Sequence, residues 1–599
     1  MPQLPSSVKI AVFAPMPRAS ERTATVVKTG DFRNVRPAIP VILSWRGKVT
    51  RGIASLWDRI AACTARKEIP LKASTLKGRS QEEMAVSALG DTVALHLPTP
   101  RLVSAAPGGF GSSRAGEAAI SILIGCAFFL LLRATPDSPG GFDAYRHARM
   151  ASRLLTEPHA VFSDPWRLAY FWPKPVDAWF GFHVLLAPFA AVFDPIVAIK
   201  MLSAILFGGI AWVLFLLLRY YQASYRWAWV LLALTGSSVT LCRATLTRPF
   251  LLSILLTLAA ALFTVQGRTT RLLLVSALHA LSYSIFFLVA LAPGLWLLMR
   301  RDRQSLRAAG SCGAGIVIGL LLSPYFPENV RFDLVQSAVT GIAQKAHVLI
   351  GGELYPMSSW WWLATSLPVL FLWSCALVVW FRRGRGSFTP ATGLLLAAAA
   401  ISLAGTFLVG RTADFFVPFA ILFAAAVISP QLPAWRKDLP YIGVLLALCC
   451  GVYVGLTCQY VLEAPSLARF RGAAEYLRTH ARGELVANAD WGDYYFLYYL
   501  NPESRYVVGI EPTMMYLRGA DKYWLWRHVS DDETATCPHE HCADGERQEI
   551  ATAVRAGLGA RYVFTEHAAN PHVEARLATT RGVTEVYRDS GYSIYRIEE

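Results

Sequence analysis

The sequence predicts a polytopic α-helical membrane protein with an α/β domain after its last apolar run. Hydrophobic residues make up 54% of the 599 residues, only 16% are charged, and the mean hydropathy is +0.38. A soluble globular chain carries about 25% charged residues, so an ordinary soluble protein is excluded. Recurrent apolar runs and 12% aromatic residues exclude a disordered chain. The apolar runs are continuous rather than alternating, which excludes an outer-membrane barrel.

The chain contains eleven apolar runs, most of which approach the length of about 20 residues that a membrane-spanning helix needs. They lie at about 116–133, 195–218, 224–241, 249–266, 271–283, 285–299, 308–324, 360–381, 389–410, 415–430 and 440–459. The two runs within 271–299 are short and typical of a broken hairpin. A further run, 178–193, is ambiguous because it contains Gly181, His183 and Pro188.

Positive charge indicates the orientation. If the N-terminal segment is cytoplasmic and 178–193 does not cross, every strongly basic short turn falls on the inner side, as the positive-inside rule requires. These turns contain Arg219 and Arg226, Arg268 and Arg271, Arg300, Arg301 and Arg303, Arg382, Arg383 and Arg385, and Arg436 and Lys437. We therefore expect about eleven spans, with 178–193 as an interfacial or re-entrant helix on the outer face. The same distribution explains the net charge of +16 without a nucleic-acid partner.

The pattern predicts three parts. Residues 1–115 lack a spanning run and are expected to form a basic, mostly disordered cytoplasmic leader. Residues 116–460 form the membrane domain, with outer loops at 134–194 and 325–359. Residues 461–599 interleave strand-like and helix-like stretches, which is typical of a small α/β domain. We expect this domain on the periplasmic or extracellular side.

The loop 134–194 holds the most informative polar residues. Asp143 follows a Gly-Gly pair and begins a helical pattern, with His147 four residues later on a neighbouring face. One face of this helix carries Arg146, Arg149 and Arg153. In one interpretation Asp143 caps the helix and the arginines contact lipid headgroups. In the other, Asp143 is a general base or metal ligand and the arginines hold a lipid phosphate.

Other polar positions also have two interpretations. Arg248 begins an apolar helix, and Arg411 lies between two runs on the outer side, where an arginine either snorkels to the interface or binds phosphate. Glu353 lies in IGGELYP, as a solvated loop residue or close to a substrate. His183 and Trp179 are more typical of interfacial anchors than of catalysis.

Cys537 and Cys542 flank Pro-His-Glu-His, which places four possible zinc ligands within six residues. That spacing is too crowded for the usual structural zinc site. On an oxidising outer face a disulfide is favoured, ahead of free thiols and of a metal.

One span followed by a long loop beginning FDAYRHARM resembles the GT-C glycosyltransferase superfamily, whose members use polyprenyl- or dolichyl-linked sugar donors on the outer face. In that superfamily an acidic residue early in the loop acts in catalysis, and Asp143 stands at that place. Phe142-Asp143-Ala144-Tyr145 fits the first part of the F-D-x-Y-x-x-R pattern of the oligosaccharyltransferase branch. Arg146 or Arg149 stands for the arginine of that pattern.

Two further motifs bear on the resemblance. Arg248-Pro249 stands before the apolar helix of the fourth span, as in many bacterial GT-C chains. Oligosaccharyltransferases carry a Trp-Trp-Asp-Tyr-Gly motif, which is only partly similar to Asp490-Trp491-Gly492-Asp493 of this chain. The second acidic motif of those enzymes is missing, because the corresponding loop CRATLTRP contains no carboxylate. No cofactor is firmly predicted, and a divalent metal is unsupported.

The resemblance implies a hexosyl- or pentosyl-transferase at the outer face of a bacterial inner membrane. Its donor would be a sugar linked to polyprenyl phosphate, and its acceptor a glycan, a lipid or a protein. Asp143 would be the base, with a raised pKa near the apolar boundary, while Arg248 and Arg411 would hold the phosphate. The remaining candidates for substrate binding are His147, Arg146, Arg149 and Glu353.

Two other classes of function remain as alternatives. A transporter or flippase places charges within its spans, whereas these runs hold almost none, Lys200 being one of the few. A non-catalytic membrane scaffold would only present residues 461–599 to partners.

Overall fold

The computed structural model describes residues 114–382 and 389–598. The predicted leader lies outside the described residues, apart from its last two positions. The described chain forms a helical bundle up to residue 462, followed by a domain built on a five-stranded sheet. These two parts pack directly against each other.

Each of the eleven predicted apolar runs is helical. The helices of the bundle are α1 (Arg114–Arg133), α2 (Phe142–Thr156), α3 (Pro158–Ser163), α4 (Phe180–Val192), α5 (Pro195–Tyr220), α6 (Arg226–Thr235), α7 (Ser238–Ala244), α8 (Phe250–Val265), α9 (Thr269–Ser282), α10 (Leu291–Arg300), α11 (Arg303–Leu322), α12 (Glu328–Ala346), α13 (Ser359–Arg382), α14 (Pro390–Thr406), α15 (Ala413–Ile428) and α16 (Leu439–Leu462). Short 3₁₀ turns lie at Phe286–Ala290, Gly352–Leu354, Gly410–Thr412, Ser429–Trp435 and Leu467–Phe470.

Among the described residues, six helices are long and apolar enough to cross a membrane. The number is seven if α6 and α7, which are bent by 81°, form one span. The shorter apolar helices are Phe180–Val192, Phe250–Val265, Phe286–Arg300 and Pro390–Thr406. The predicted helical class is confirmed, whereas a count of about eleven crossings stays a prediction. The 13-residue helix α4 packs on α2 and α5, and its interfacial position likewise stays a prediction.

The helix α15 lies at the centre of the bundle. In the apolar stretch that contains α15, 83% of the residues are buried, whereas only 6% are buried in the stretch that contains α16. A helix that is apolar on nearly all sides lies either in a protein interior or in a membrane, and ADFFVPFAILFAAAVI, which has that character, lies in the interior of the bundle. Polar residues at the start of α15 are therefore carried into the protein interior rather than to its surface.

The C-terminal sheet has the strand order β2-β1-β3-β5-β4. β1 pairs in parallel with β2 and β3, while β5 is antiparallel to both β3 and β4. The strands are β1 (Leu485–Asn488), β2 (Arg505–Tyr506), β3 (Tyr562–Glu566), β4 (Val583–Arg588) and β5 (Tyr592–Ile597). The helices are α17 (Arg471–His480), α18 (Asp493–Leu500), α19 (Pro512–Arg518), α20 (Ala520–Ser530), α21 (Ile550–Thr552, continued by a π turn to Leu558) and α22 (Pro571–Thr579). The predicted small domain of interleaved strands and helices is confirmed.

The helix α18 joins the sheet domain to α2. The ring of Phe496 lies 4.9 Å from that of Tyr145 and 5.5 Å from that of Phe142, centroid to centroid. Tyr494 donates from its hydroxyl to the Trp166 carbonyl at 2.8 Å. The start of α2, which carries Asp143, is thus packed directly against the C-terminal domain.

Candidate active site

Gly140 allows the start of α2 to approach the loop between α7 and α8. Its φ is +101°, and a Cβ there would lie 2.0 Å from the Thr245 carbonyl oxygen, so a larger residue does not fit. Thr247 donates from Oγ1 to the Pro139 carbonyl at 2.6 Å. The first turn of α2 is therefore held beside the start of α8.

Asp143 lies in this first turn, and the interpretation of Asp143 as the helix cap is wrong. The N-cap is Gly141, and no side chain caps the helix. The Asp143 carboxylate instead faces two guanidinium groups, with Oδ2 3.1 Å from Arg248 Nη1 and Oδ1 3.6 Å from Arg146 Nη2. Its polar partners are thus side chains rather than backbone amides.

Glu353 receives three arginines. Arg243 and Arg248 donate from Nη1 to Oε2 at 2.6 Å and 3.0 Å, and Arg411 donates to Oε1. Glu353 lies in the 3₁₀ turn Gly352–Leu354 and is only 13% exposed. The sequence alternative of a solvated loop glutamate is therefore wrong.

Asp414, in the first turn of the buried helix α15, completes the group by accepting from Arg243 Nε at 2.8 Å. We call these side chains the arginine–carboxylate cluster. Its members are Asp143, Arg146, Arg243, Arg248, Glu353, Arg411 and Asp414. With each side chain counted in its ordinary charge form, four arginines and three carboxylates give the cluster a formal charge of +1, which favours an anion.

Burial raises the pKa of Asp143, but the Arg248 and Arg146 guanidinium groups outweigh burial and hold the pKa below its ordinary value. The expected raised pKa is therefore wrong, and Asp143 is ionised at neutral pH. Glu511 behaves in the opposite way: burial raises its pKa to about 8, although Arg411 partly opposes the shift. Near pH 7 Glu511 is thus mostly protonated and adds no charge to the cluster.

A cavity of about 500 Å³ adjoins the cluster. Arg243, Arg248 and Glu353 of the cluster line it together with a second carboxylate, Glu463, and most of the remaining wall is apolar or aromatic. Residues of the other walls include Phe142, Tyr145, Val239, Leu246, Trp361 and Phe496. The cavity therefore offers a cationic end and an apolar body.

Two arginines of the predicted stripe on α2 are buried in the protein and do not reach lipid headgroups. Arg146 and Arg153 are 2% and 1% exposed, and Arg153 donates to the Pro165 carbonyl and to the Tyr498 hydroxyl. Arg149 is partly buried near Tyr498. His147 contacts Arg146 and His183 rather than Asp143. Of the candidates on α2, the structure brings Asp143 and Arg146 to the cluster.

Sequence reasoning did not single out Asp414 or Glu511. Asp414 lies in GRTADFF, three residues after Arg411, and an acidic residue at the start of an otherwise apolar run is an available signal. Glu511 follows Ile510, whose φ is +60°. Such a conformation is unusual for a β-branched residue, and the sequence carries no sign of it.

The cluster does not fit a divalent cation. Its carboxylates face guanidinium groups, and within the described part of the chain no three acidic side chains converge as metal ligands do. Elsewhere, Cys537 and Cys542 are joined by a disulfide with a Cα–Cα distance of 5.6 Å. His528 Nε2 lies 3.5 Å and 3.7 Å from their sulfur atoms, but cysteine binds zinc as the thiolate, which the disulfide removes.

No family model and no curated protein sequence matches the chain. Among solved structures, the fold is similar to that of the oligosaccharyltransferase of Archaeoglobus fulgidus. Its apo form gives a TM-score of 0.55 at 12% identity, over 78% of this chain and 71% of that chain. The archaeal oligosaccharyltransferase AglB in complex with an inhibitory peptide and a dolichol-phosphate gives 0.54 at 10% identity, over 78% and 70%. The complex with Zn and sulfate gives 0.51 at 12% identity, over 78% and 70%. The chain therefore shares the fold of this oligosaccharyltransferase, and the resemblance that the FDAYRHARM loop predicts is confirmed at the level of the fold.

Proposed function

We propose that the chain is a membrane glycosyltransferase that moves a sugar from a polyprenyl-phosphate-linked donor to an acceptor. The observation that carries the proposal is the cavity, in which a cluster of converging arginines adjoins apolar and aromatic walls. The similar fold of an oligosaccharyltransferase solved with dolichol-phosphate supports it. An amphipathic ligand with an anionic head matches both ends of the cavity.

The donor phosphate binds at Arg243, Arg248 and Arg411 in this proposal. A guanidinium fork matches phosphate oxygens, and an interior of low dielectric strengthens each such contact. Glu353 accepts from all three arginines, so it occupies the position that an anionic ligand needs. The phosphate therefore displaces the carboxylate and takes over its hydrogen bonds, while the isoprenoid units nearest to it pack on the apolar walls.

Asp143 serves the acceptor. During transfer the bond between the sugar C1 and the phosphate oxygen breaks, and a bond forms between C1 and the acceptor atom. The acceptor proton passes to the ionised Asp143 carboxylate, and the lipid phosphate leaves with the electron pair of the broken bond. Because Arg248 contacts both Asp143 and Glu353, the base and the phosphate site share one guanidinium.

The cellular setting is part of the proposal. The acceptor is a glycan, a lipid or a protein, and the reaction takes place on the outer face of a bacterial inner membrane. The basic turns support a cytoplasmic N-terminus and an outer C-terminal domain. The transferred sugar is a hexose or a pentose.

The substitution Asp143→Asn tests the proposal. It keeps the shape of the side chain but removes the proton acceptor, and we expect turnover to fall about 10²–10⁴-fold. Transfer is measured from a membrane extract of lipid-linked sugars, alongside protein level and thermal stability.

Glu117→Gln is the matched control, because Glu117 is a buried carboxylate that pairs with Arg219 at 3.3 Å outside the cluster. Loss of transfer in Asp143→Asn, with transfer retained in Glu117→Gln, supports the proposal. Unchanged turnover in a stable Asp143→Asn protein would remove Asp143 from the reaction.

A further inference from the structure

A chain of buried side chains leads away from Asp143 on the side opposite Arg248. Arg146 Nη2 lies 3.2 Å from His147 Nε2, His147 Nδ1 lies 2.8 Å from His183 Nε2, and His183 Nδ1 lies 2.6 Å from Asp177 Oδ2. All four side chains are at most 2% exposed. This row of side chains connects α2 to α4 and to the segment just before α4.

The hydrogen atoms along this row of four side chains have only one consistent arrangement. An arginine has donors and no acceptor, so His147 accepts at Nε2 and, as a neutral ring, carries its proton on Nδ1. His147 then donates to His183 Nε2, and His183 donates from Nδ1 to the Asp177 carboxylate. Burial, followed by the charge of Arg146, lowers the pKa of His147 well below its ordinary value, which agrees with a neutral ring.

Arg146 depends on this chain for its orientation. Its guanidinium lies over Trp179 and Trp166, at 4.7 Å and 5.0 Å from the ring centroids. Its Nε and Nη1 atoms have no hydrogen-bond partner in the described structure. The hydrogen bond to His147 at 3.2 Å and the ion pair with Asp143 at 3.6 Å, both made by Nη2, thus fix its rotation. The far end is anchored as well, since the Trp179 amide donates to Asp177 Oδ1 at 3.0 Å.

We propose that Asp177, His183 and His147 form a positioning relay that holds Arg146, and through it the Asp143 carboxylate, in the orientation that transfer needs. None of the three touches the cavity, so they act on the reaction only through Arg146. The inference rests on the proposed function, because it assigns a use to the orientation of Asp143. A misplacement of about 1 Å at a reacting group can cost roughly 10²-fold in rate.

His183→Asn breaks the relay at one point. The asparagine amide stands where Nδ1 stands and keeps the hydrogen bond to Asp177, but it does not reach His147. We expect kcat to fall about 10²-fold, with little change in the KM for the lipid-linked donor, because the phosphate-binding arginines are untouched. His279→Asn is the matched control: His279 is fully buried and bonded to Ser253 at 2.8 Å, away from the relay.

A double-mutant cycle separates positioning from general damage. If the relay acts through Asp143, His183→Asn lowers kcat in the wild-type background but has little further effect in Asp143→Asn. The relay would be overturned if the loss of kcat in the double variant equals the product of the two single losses. It would also be overturned by a rise in donor KM without a fall in kcat, or by an equal loss of kcat in His279→Asn. His183→Leu, of similar volume and without polar atoms, is made in parallel and must show the same pattern if His183→Asn protein does not accumulate.

The cycle also distinguishes the two proposals. Unchanged transfer in Asp143→Asn overturns the proposed function, whatever His183→Asn does. Lost transfer in Asp143→Asn with full activity in stable His183→Asn and His183→Leu proteins overturns the relay alone.

Discussion

Replacement of Glu353 by glutamine removes the one carboxylate that three arginines share. Arg243 and Arg248 lose a charged partner at 2.6 Å and 3.0 Å, and Arg411 loses its contact with Oε1. The glutamine side chain has nearly the same size, so the change is chiefly electrostatic. The cluster then has four arginines and two carboxylates, and its formal charge rises from +1 to +2.

The structure predicts effects of opposite sign on stability and on anion binding. Removing one partner of a buried ion pair costs about 3–5 kcal/mol, and the 13% exposure of Glu353 places the loss near the lower value. In the wild type an incoming phosphate must first displace the carboxylate. If even one charge-assisted hydrogen bond, about 1.5 kcal/mol, is not recovered, its removal improves the Kd of the phosphate about tenfold.

The assay measures binding of undecaprenyl phosphate to the full-length protein in detergent, together with the free energy of unfolding with and without that lipid. Glu353→Gln should be less stable than the wild type when alone, bind the lipid more tightly and gain more stability from it. Glu117→Gln, outside the cluster, should leave the Kd unchanged. Equal or weaker lipid binding by Glu353→Gln would refute the displacement of Glu353 by the phosphate.

Three further predictions address other parts of the molecule. Because the pKa of Glu511 is raised from 4.5 to about 8, its folded form keeps a proton that the unfolded chain loses, so wild-type stability falls as pH rises from 4.5 to 8. Glu511→Gln should be free of this fall. The free energy of unfolding is measured by denaturant titration at pH 5 and pH 8, and an equal change between the two pH values in both proteins would contradict the prediction. Non-reducing alkylation should leave Cys537 and Cys542 unlabelled, and labelling of both would exclude the disulfide. Alkaline phosphatase fused after Tyr460 should be active, and a cytoplasmic reporter should be active after Arg385; an inactive phosphatase would reverse the predicted orientation.

The helical bundle is predictable because hydropathy is a local property of the sequence. Each apolar run becomes a helix, but apolar character alone does not identify the central one, because α15 is buried and the likewise apolar α16 is exposed. The number of crossings does not follow, because a bend such as the 81° break between α6 and α7 depends on packing. Hydropathy alone does not distinguish a short spanning helix from a re-entrant one.

The candidate site is only partly predictable. Asp143 stands out because a Gly-Gly pair and a helical pattern surround it, but its nearer partner Arg248 is distant in sequence, just before α8, and only Arg146 lies on the same helix. The role of Glu353 depends on Arg243, 110 residues away in sequence, and nothing local to either residue indicates the pair. The sequence favours His183 as an interfacial anchor, and nothing local to it indicates a partner. Its partner His147 lies on another helix.

The contact between α18 and α2 makes the C-terminal domain a structural wall of the cavity rather than an appendage. Phe496 lines the cavity and packs on Phe142 and Tyr145, which flank Asp143. Exchange of residues 461–599 between related chains would therefore alter the surroundings of the proposed base as well as any acceptor surface. A functional chimera would need its aromatic residues on α2 and α18 matched as a set, so these two helices are expected to diverge together in evolution.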